Sequence, residues 1–252
     1  MESDIYQWYL IDKLEFVGLE DMKRIAENQV SESIICGIIL ALSGGCMDAY
    51  SYLYRGEVFA NAQTGNMLLF GVNLAGGNFS VALKYLWPVL AFTLGIIIAE
   101  MARNSSEKLS IIHWRQITTA VEAIFLIGVA FIPQSYDSIA NAIISFVCGI
   151  QVESFKKIRG NSIATTMCIG NLRSGTYYLS RYRYTGNVEY LKKGLLYFCI
   201  IVSFIVGAVG ESLIVIKFEA KSVIVSSILL FTALALMFRH PLVDEGDAYI
   251  EG

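Results

Sequence analysis

The chain has 252 residues, 55% of them hydrophobic and only 16% charged, with a mean hydropathy of +0.56. A soluble domain of this size needs about a quarter of its residues charged to clothe its core, so an ordinary soluble fold is excluded. A net charge of −3 offers no basic stripe for nucleic acid.

Residues 1–31 carry seven acids against three bases, with Ile5, Trp8, Ile11, Leu14, Met22 and Ile25 spaced loosely on one helical face. The pattern predicts an amphipathic acidic tail bent near Gly18. It lacks the basic start, apolar stretch and small-residue cleavage site of a signal peptide.

The region 32–240 is read as a transmembrane domain, followed by a short acidic tail at 241–252. Six segments are long and apolar enough to span: Ser33–Tyr54, Phe79–Ala102, Ile117–Ile132, Ile139–Phe155, Lys193–Ile216 and Ser222–Phe238. Between them, Glu57–Leu74 and Asn161–Tyr184 begin polar and end apolar, as half-helices that enter and leave by one face would. Lys and Arg favour the cytoplasmic side. Six spans with an internal N-terminus place 14 of them inside and four outside, with Arg173 apart in a re-entrant stretch. Eight spans would divide them evenly, so six are preferred and both termini are cytoplasmic.

The two halves, about 33–133 and 138–240, repeat. Arg55-Gly56, Gly65-Asn66 and Gly77-Asn78 in the first are echoed by Arg159-Gly160, Gly170-Asn171 and Gly186-Asn187 in the second. Phe92-x-x-Gly95 is echoed by Phe204-x-x-Gly207. Three spans per repeat is an odd number, so the second half is inverted relative to the first. The expected fold is an all-α membrane protein of about six transmembrane helices in two inverted three-helix repeats, each with a re-entrant half-helix.

The run Gly44-Gly45-Cys46-Met47-Asp48-Ala49-Tyr50-Ser51-Tyr52, followed by Arg55-Gly56 and Phe59-Ala60-Asn61-Ala62-Gln63-Thr64-Gly65-Asn66, resembles the YoaK family. That family comprises bacterial inner-membrane proteins defined by a domain of unknown function. The resemblance covers roughly Ser33 to His240 and implies about six membrane helices and the cytoplasmic membrane. It implies no substrate.

Candidate chemistry concentrates in the broken segments, where non-helical backbone needs protein or water to satisfy it. Asn61, Gln63, Thr64, Gly65, Asn66, Gly170, Asn171 and Arg173 are expected to line a site for a small polar solute. Arg173 inclines that solute towards an anion. Asp48, a carboxylate inside the first span, is expected to couple or gate, the alternative being an ion pair with Arg55 or Arg173. Glu122 is a second acid within a span, whereas Glu100, Glu153 and Glu211 are read as interfacial. The five cysteines are read as packing residues, and His113 and His240 as surface groups. No zinc-binding H-E-x-x-H, nucleophile elbow or phosphate loop occurs, so no cofactor, metal or enzymatic role is expected. The reading is a small secondary transporter or channel. The alternative is a non-transporting sensor, scaffold or assembly factor whose tail meets a partner. Gly207-x-x-Gly210 suggests a homodimer contact.

Overall fold

A computed structural model describes residues 32–105 and 114–239. The acidic tails 1–31 and 241–252, His113 and His240 lie outside the described residues. Within them the chain forms eight α-helices: α1 Ile34–Tyr54, α2 Gln63–Ala75, α3 Phe79–Ser105, α4 Trp114–Val129, α5 Asp137–Ser154, α6 Cys168–Thr185, α7 Val188–Phe218 and α8 Ile224–Arg239. Lys157–Ile158 (β1) and Asn161–Ser162 (β2) pair as a small antiparallel hairpin that the sequence reading did not anticipate. Its turn uses Arg159 at φ +47° and Gly160 at φ +70°.

Three helical stretches are long and apolar enough to cross a membrane: Ile34–Tyr54, Phe79–Ser105 and the nearly continuous Val188–Phe238. The outer faces of α3 and α7 expose Leu90, Leu94, Ile97, Val202, Ile205 and Val209. A water-facing helix would carry charges there, whereas apolar side chains suit acyl chains. Trp87 stands exposed in the first half of α3, and Trp114 is buried.

Helix α1 packs along α7 and against α8, while α3 packs along α5. Helix α2 lies on α3 and α6 on α7, and α4 packs on both α5 and α8. Glycines set the two closest crossings. A methyl group added at Gly45 would overlap the Phe204 carbonyl of α7, and one at Gly207 would overlap the Leu42 carbonyl of α1. At the α3–α5 crossing, Gly95 meets the Phe146 carbonyl and Gly149 the Phe92 carbonyl. Without side chains in the way, backbones approach closely enough for dispersion and weak Cα–H···O contacts to replace a hydrophobic drive that lipid does not supply. Gly207 is therefore spent inside the chain. Gly210 faces open space.

Arg55 ties the two halves together. Its side chain is fully buried and donates to Tyr50 Oη (2.9 Å), Asp137 Oδ1 (2.9 Å) and the carbonyls of Val129 (3.0 Å) and Ile132 (2.9 Å). The guanidinium thus closes the C-terminal end of α4, where free carbonyls favour a cation. Asn141 Nδ2 returns a bond to the Arg55 carbonyl at 2.7 Å. The alternative of an ion pair between Asp48 and Arg55 is corrected: the partner of Arg55 is Asp137.

Two outcomes follow. Gly149→Val should lower the melting temperature through overpacking of about 1–3 kcal/mol, while Gly128→Ala, with open space around it, should leave it unchanged; thermal unfolding in detergent checks both. Arg55→Met removes the donor from the Val129 and Ile132 carbonyls and the partner from the partly exposed Asp137 carboxylate, costing about 1–3 kcal/mol for each buried acceptor left unpaired. It should be read as loss of monodisperse protein on size exclusion.

Candidate functional site

After α1 the chain reverses through Gly56 (φ +80°) and Glu57 (φ +61°) and runs back along the helix it has left. Ala60 N donates to Ser51 Oγ (3.2 Å), Asn61 N to Asp48 Oδ1 (2.8 Å) and Asn61 Nδ2 to the Gly44 carbonyl (2.7 Å). The stretch therefore meets successive turns of α1, and Gly44 lies about 16 Å of helix below Arg55. That is roughly half the hydrocarbon thickness of a bilayer. The N–H groups of Ala60 and Ala62 also approach the Asp48 carboxylate. Asp48, half-buried, is thus held by backbone donors at the start of α2, where the helix dipole favours a negative charge.

Asn66 clasps the returning strand. Its Nδ2 donates to the Phe59 carbonyl (2.6 Å) and to Gln63 Oε1 (2.9 Å), and its Oδ1 accepts from Phe59 N (3.2 Å). Gln63 Nε2 donates in turn to the Ala60 carbonyl (2.7 Å), which also accepts from Ser145 Oγ of α5 (2.9 Å). A carboxamide suits this task because it offers a donor and an acceptor side by side, matching the C=O and N–H of one residue.

Before α6 the same clasp recurs. Asn171 Nδ2 donates to the Ala164 carbonyl (2.6 Å) and Asn171 Oδ1 accepts from Ala164 N (3.3 Å), again seven residues apart. The following residues reach the same turn of α1. A methyl group added at Gly44 would lie 3.1 Å from the Thr165 carbonyl oxygen and 3.3 Å from Thr166 Cα. Gln151 of α5 anchors this tip, donating Nε2 to Thr165 Oγ1 (3.0 Å) and to the Leu40 carbonyl (3.1 Å).

Of the residues singled out from the sequence, Asn61 bonds Gly44 and Asp48 one turn on, Gln63 and Asn66 secure the strand that carries Asn61, and Asn171 secures the strand that brings Thr165 and Thr166 to Gly44. Thr64 and Gly170 are exposed. Gly65 sits under Phe59, where a methyl group would lie 2.9 Å from the ring. Arg173 does not join the cluster. It lies on the exposed face of α6 and makes no ion pair or hydrogen bond among the described residues.

Three buried groups escaped the sequence reading. Thr165, Thr166 and Gln151 carry no charge and look like ordinary span residues. Glu211, read as interfacial, is fully buried on α7 beside Cys46 and Ser222, with both carboxyl oxygens lacking a hydrogen bond. Its position in a 31-residue helix explains the correction, since α7 continues nearly two turns beyond it. Glu122 of α4 is likewise fully buried and without a hydrogen bond among the described residues, and Cys148 lies close enough to feel the charges of both Glu122 and Asp48. All five cysteines are free.

Residues 36–237 match the family model described as "Protein of unknown function (DUF1275)". The chain is 29% identical over 146 residues to the UPF0700 transmembrane protein YoaK of Bacillus subtilis (strain 168), covering 54% of this chain and 62% of that relative's length. It therefore spans less than two thirds of the curated relative it matches. No solved structure matches it. With the family model covering most of its length and with helices suited to a bilayer, this chain belongs to the DUF1275 family and is an integral membrane protein.

Proposed function

We propose that the protein is a small secondary transporter or channel for a small polar solute, with its site where two re-entrant half-helices meet beside Gly44 and Asp48. The observation that carries this reading is the convergence itself: Asn61 holds the Gly44 carbonyl while Thr165 and Thr166 press on the same glycine. Broken backbone inside a membrane is costly and persists where protein or a water-filled cavity satisfies it. Half-helices aimed at the midplane supply fixed dipoles that can receive a solute dropping its hydration shell.

The architecture in this reading is six spans in two inverted repeats, α1–α4 and α5–α8, with α2 and α6 as the half-helices. The contacts support it because the main packing pairs have counterparts under that exchange. The α1–α7 crossing answers to α5–α3, α2 on α3 answers to α6 on α7, α1–α8 answers to α5–α4, and α4–α8 answers to itself. The Asn66 and Asn171 clasps are related in the same way. Asp48 is the gating or coupling group, and the exposed Arg173 takes no part in the solute site. The protein lies in the bacterial cytoplasmic membrane with both termini inside, and no step of this role requires catalysis.

Single cysteines test the topology in a background lacking the five native ones. Thr64→Cys should react with an impermeant maleimide applied outside, and Gly170→Cys with the same reagent applied inside. Reaction of both from one side would remove the inverted arrangement. For activity, osmotic swelling of proteoliposomes challenged with a panel of small polar solutes should find at least one that enters faster than in empty vesicles. Asp48→Asn should cut that rate at least tenfold with the melting temperature retained. Entry of none, with intact protein, would remove the transport reading.

A further inference from the structure

The polar atoms gathered at the convergence are unevenly matched. Asn61 spends its side-chain donor on Gly44, and Gln151 spends its own on Leu40 and Thr165. Among the described residues, Asn61 Oδ1, Gln151 Oε1, Thr166 Oγ1 and both carboxyl oxygens of Glu122 are buried without hydrogen bonds. Every one is an oxygen, and among them only the Thr166 hydroxyl, or a protonated Glu122, could also donate. Asn61, Gln151 and Glu122 are fully buried and Thr166 is 1% exposed.

These atoms share one neighbourhood. Asn61 and Thr166 both lie on Gly44. Ser154 Oγ donates to Thr118 Oγ1 at 3.1 Å, which fixes the antiparallel register of α5 and α4. One turn along α4 from Thr118 is Glu122, and about one turn back along α5 from Ser154 is Gln151. Cys148, the next turn of α5, lies beside Thr166 and within the fields of Asp48 and Glu122.

An orphaned buried acceptor is costly, and an orphaned carboxylate considerably more so. Native proteins keep few such atoms, so a local surplus of them implies a missing partner that accepts electron pairs. Carboxylate, amide and hydroxyl oxygens are ligands of hard cations. Among the described residues no three His, Cys, Asp or Glu side chains gather to hold a metal ion, so the ligand set is one of neutral oxygens around a single acid. Asp48 already receives backbone N–H groups at the start of α2, which leaves Glu122 as the charge still to be balanced. One ionised carboxylate in a low-dielectric interior calls for one positive charge.

We propose that Asn61, Gln151, Thr166 and Glu122 form a binding site for a small monovalent cation of the size of Na+. As a binding site this stands on the oxygen cluster alone; as the coupling ion of a transporter it rests on the function proposed above.

The test uses the full chain in nanodiscs, with NaCl titrated against choline chloride at constant total salt. Sodium should raise the melting temperature by about 5 °C at a hundredfold excess over Kd, and choline should not. Glu122→Gln, which keeps the shape and removes the charge, should abolish the rise. Thr166→Val, close in shape to threonine, should move the sodium midpoint at least several-fold should the glutamate variant fail to fold. Equal melting in sodium and choline would overturn the site, leaving water as the donor to these oxygens. So would a sodium midpoint unchanged in both variants, or a response to Mg2+ in place of Na+. Sodium-dependent melting in a protein that passes no solute would keep the site and remove the transport reading. Solute entry with melting blind to sodium would do the reverse.

Discussion

Two stretches of non-helical backbone, 56–62 and 159–167, lie among apolar helices, and every N–H and C=O they carry needs a partner where water is scarce. The solution is the same in both. A single asparagine in the first turn of the following helix clasps the backbone N–H and C=O of the residue seven positions before it. An outside donor then fastens the strand to its neighbours: Ser145 to Ala60 in one case, Gln151 to Thr165 in the other. Both donors stand on α5, so one helix supports both tips. The buried Arg55, joined to Asp137 and to the end of α4, fixes the outer margin of the same assembly.

Glycine makes the convergence sterically available. Gly44 and Gly45 are adjacent on α1 and serve opposite neighbours: Gly44 receives the Thr165–Thr166 tip, and Gly45 receives the backbone of α7. A side chain at either would push away an element that the site requires. The next turn presents Asp48 to the returning Asn61 strand. Three features of one short motif therefore act together, two by what they lack and one by the charge it carries. The polar interior that results is expensive, and membrane proteins retain such groups where function uses them.

Much of this was legible beforehand because it is written in local pattern. The span positions follow from runs of about 20 apolar residues, and the helices agree with them to within a few residues at most ends. The broken segments announced themselves by polar residues and paired Gly-Asn turns. Asn61, Gln63, Asn66 and Asn171 were found because amides are unusual in apolar surroundings. Arg173 misled for the same reason: its charge drew attention, but its position on α6 turns it to the exposed face, away from Gly44. Glu211 was misjudged because the end of its span was taken too early in a helix that continues to Phe218.

Composition, charge placement and residue spacing determined by themselves that this chain lives in a membrane, which segments are helical, and where the helices break. Those are properties of single segments, set by transfer energy and backbone geometry. Only the tertiary structure decided that Arg55 pairs with Asp137, that Gln151, Thr165 and Thr166 come to the same stretch of α1 as Asn61, and that several buried oxygens there lack donors among the described residues. Each of these depends on which faces meet at the glycine crossings. A pairing between residues a hundred positions apart leaves no mark on the local sequence of either.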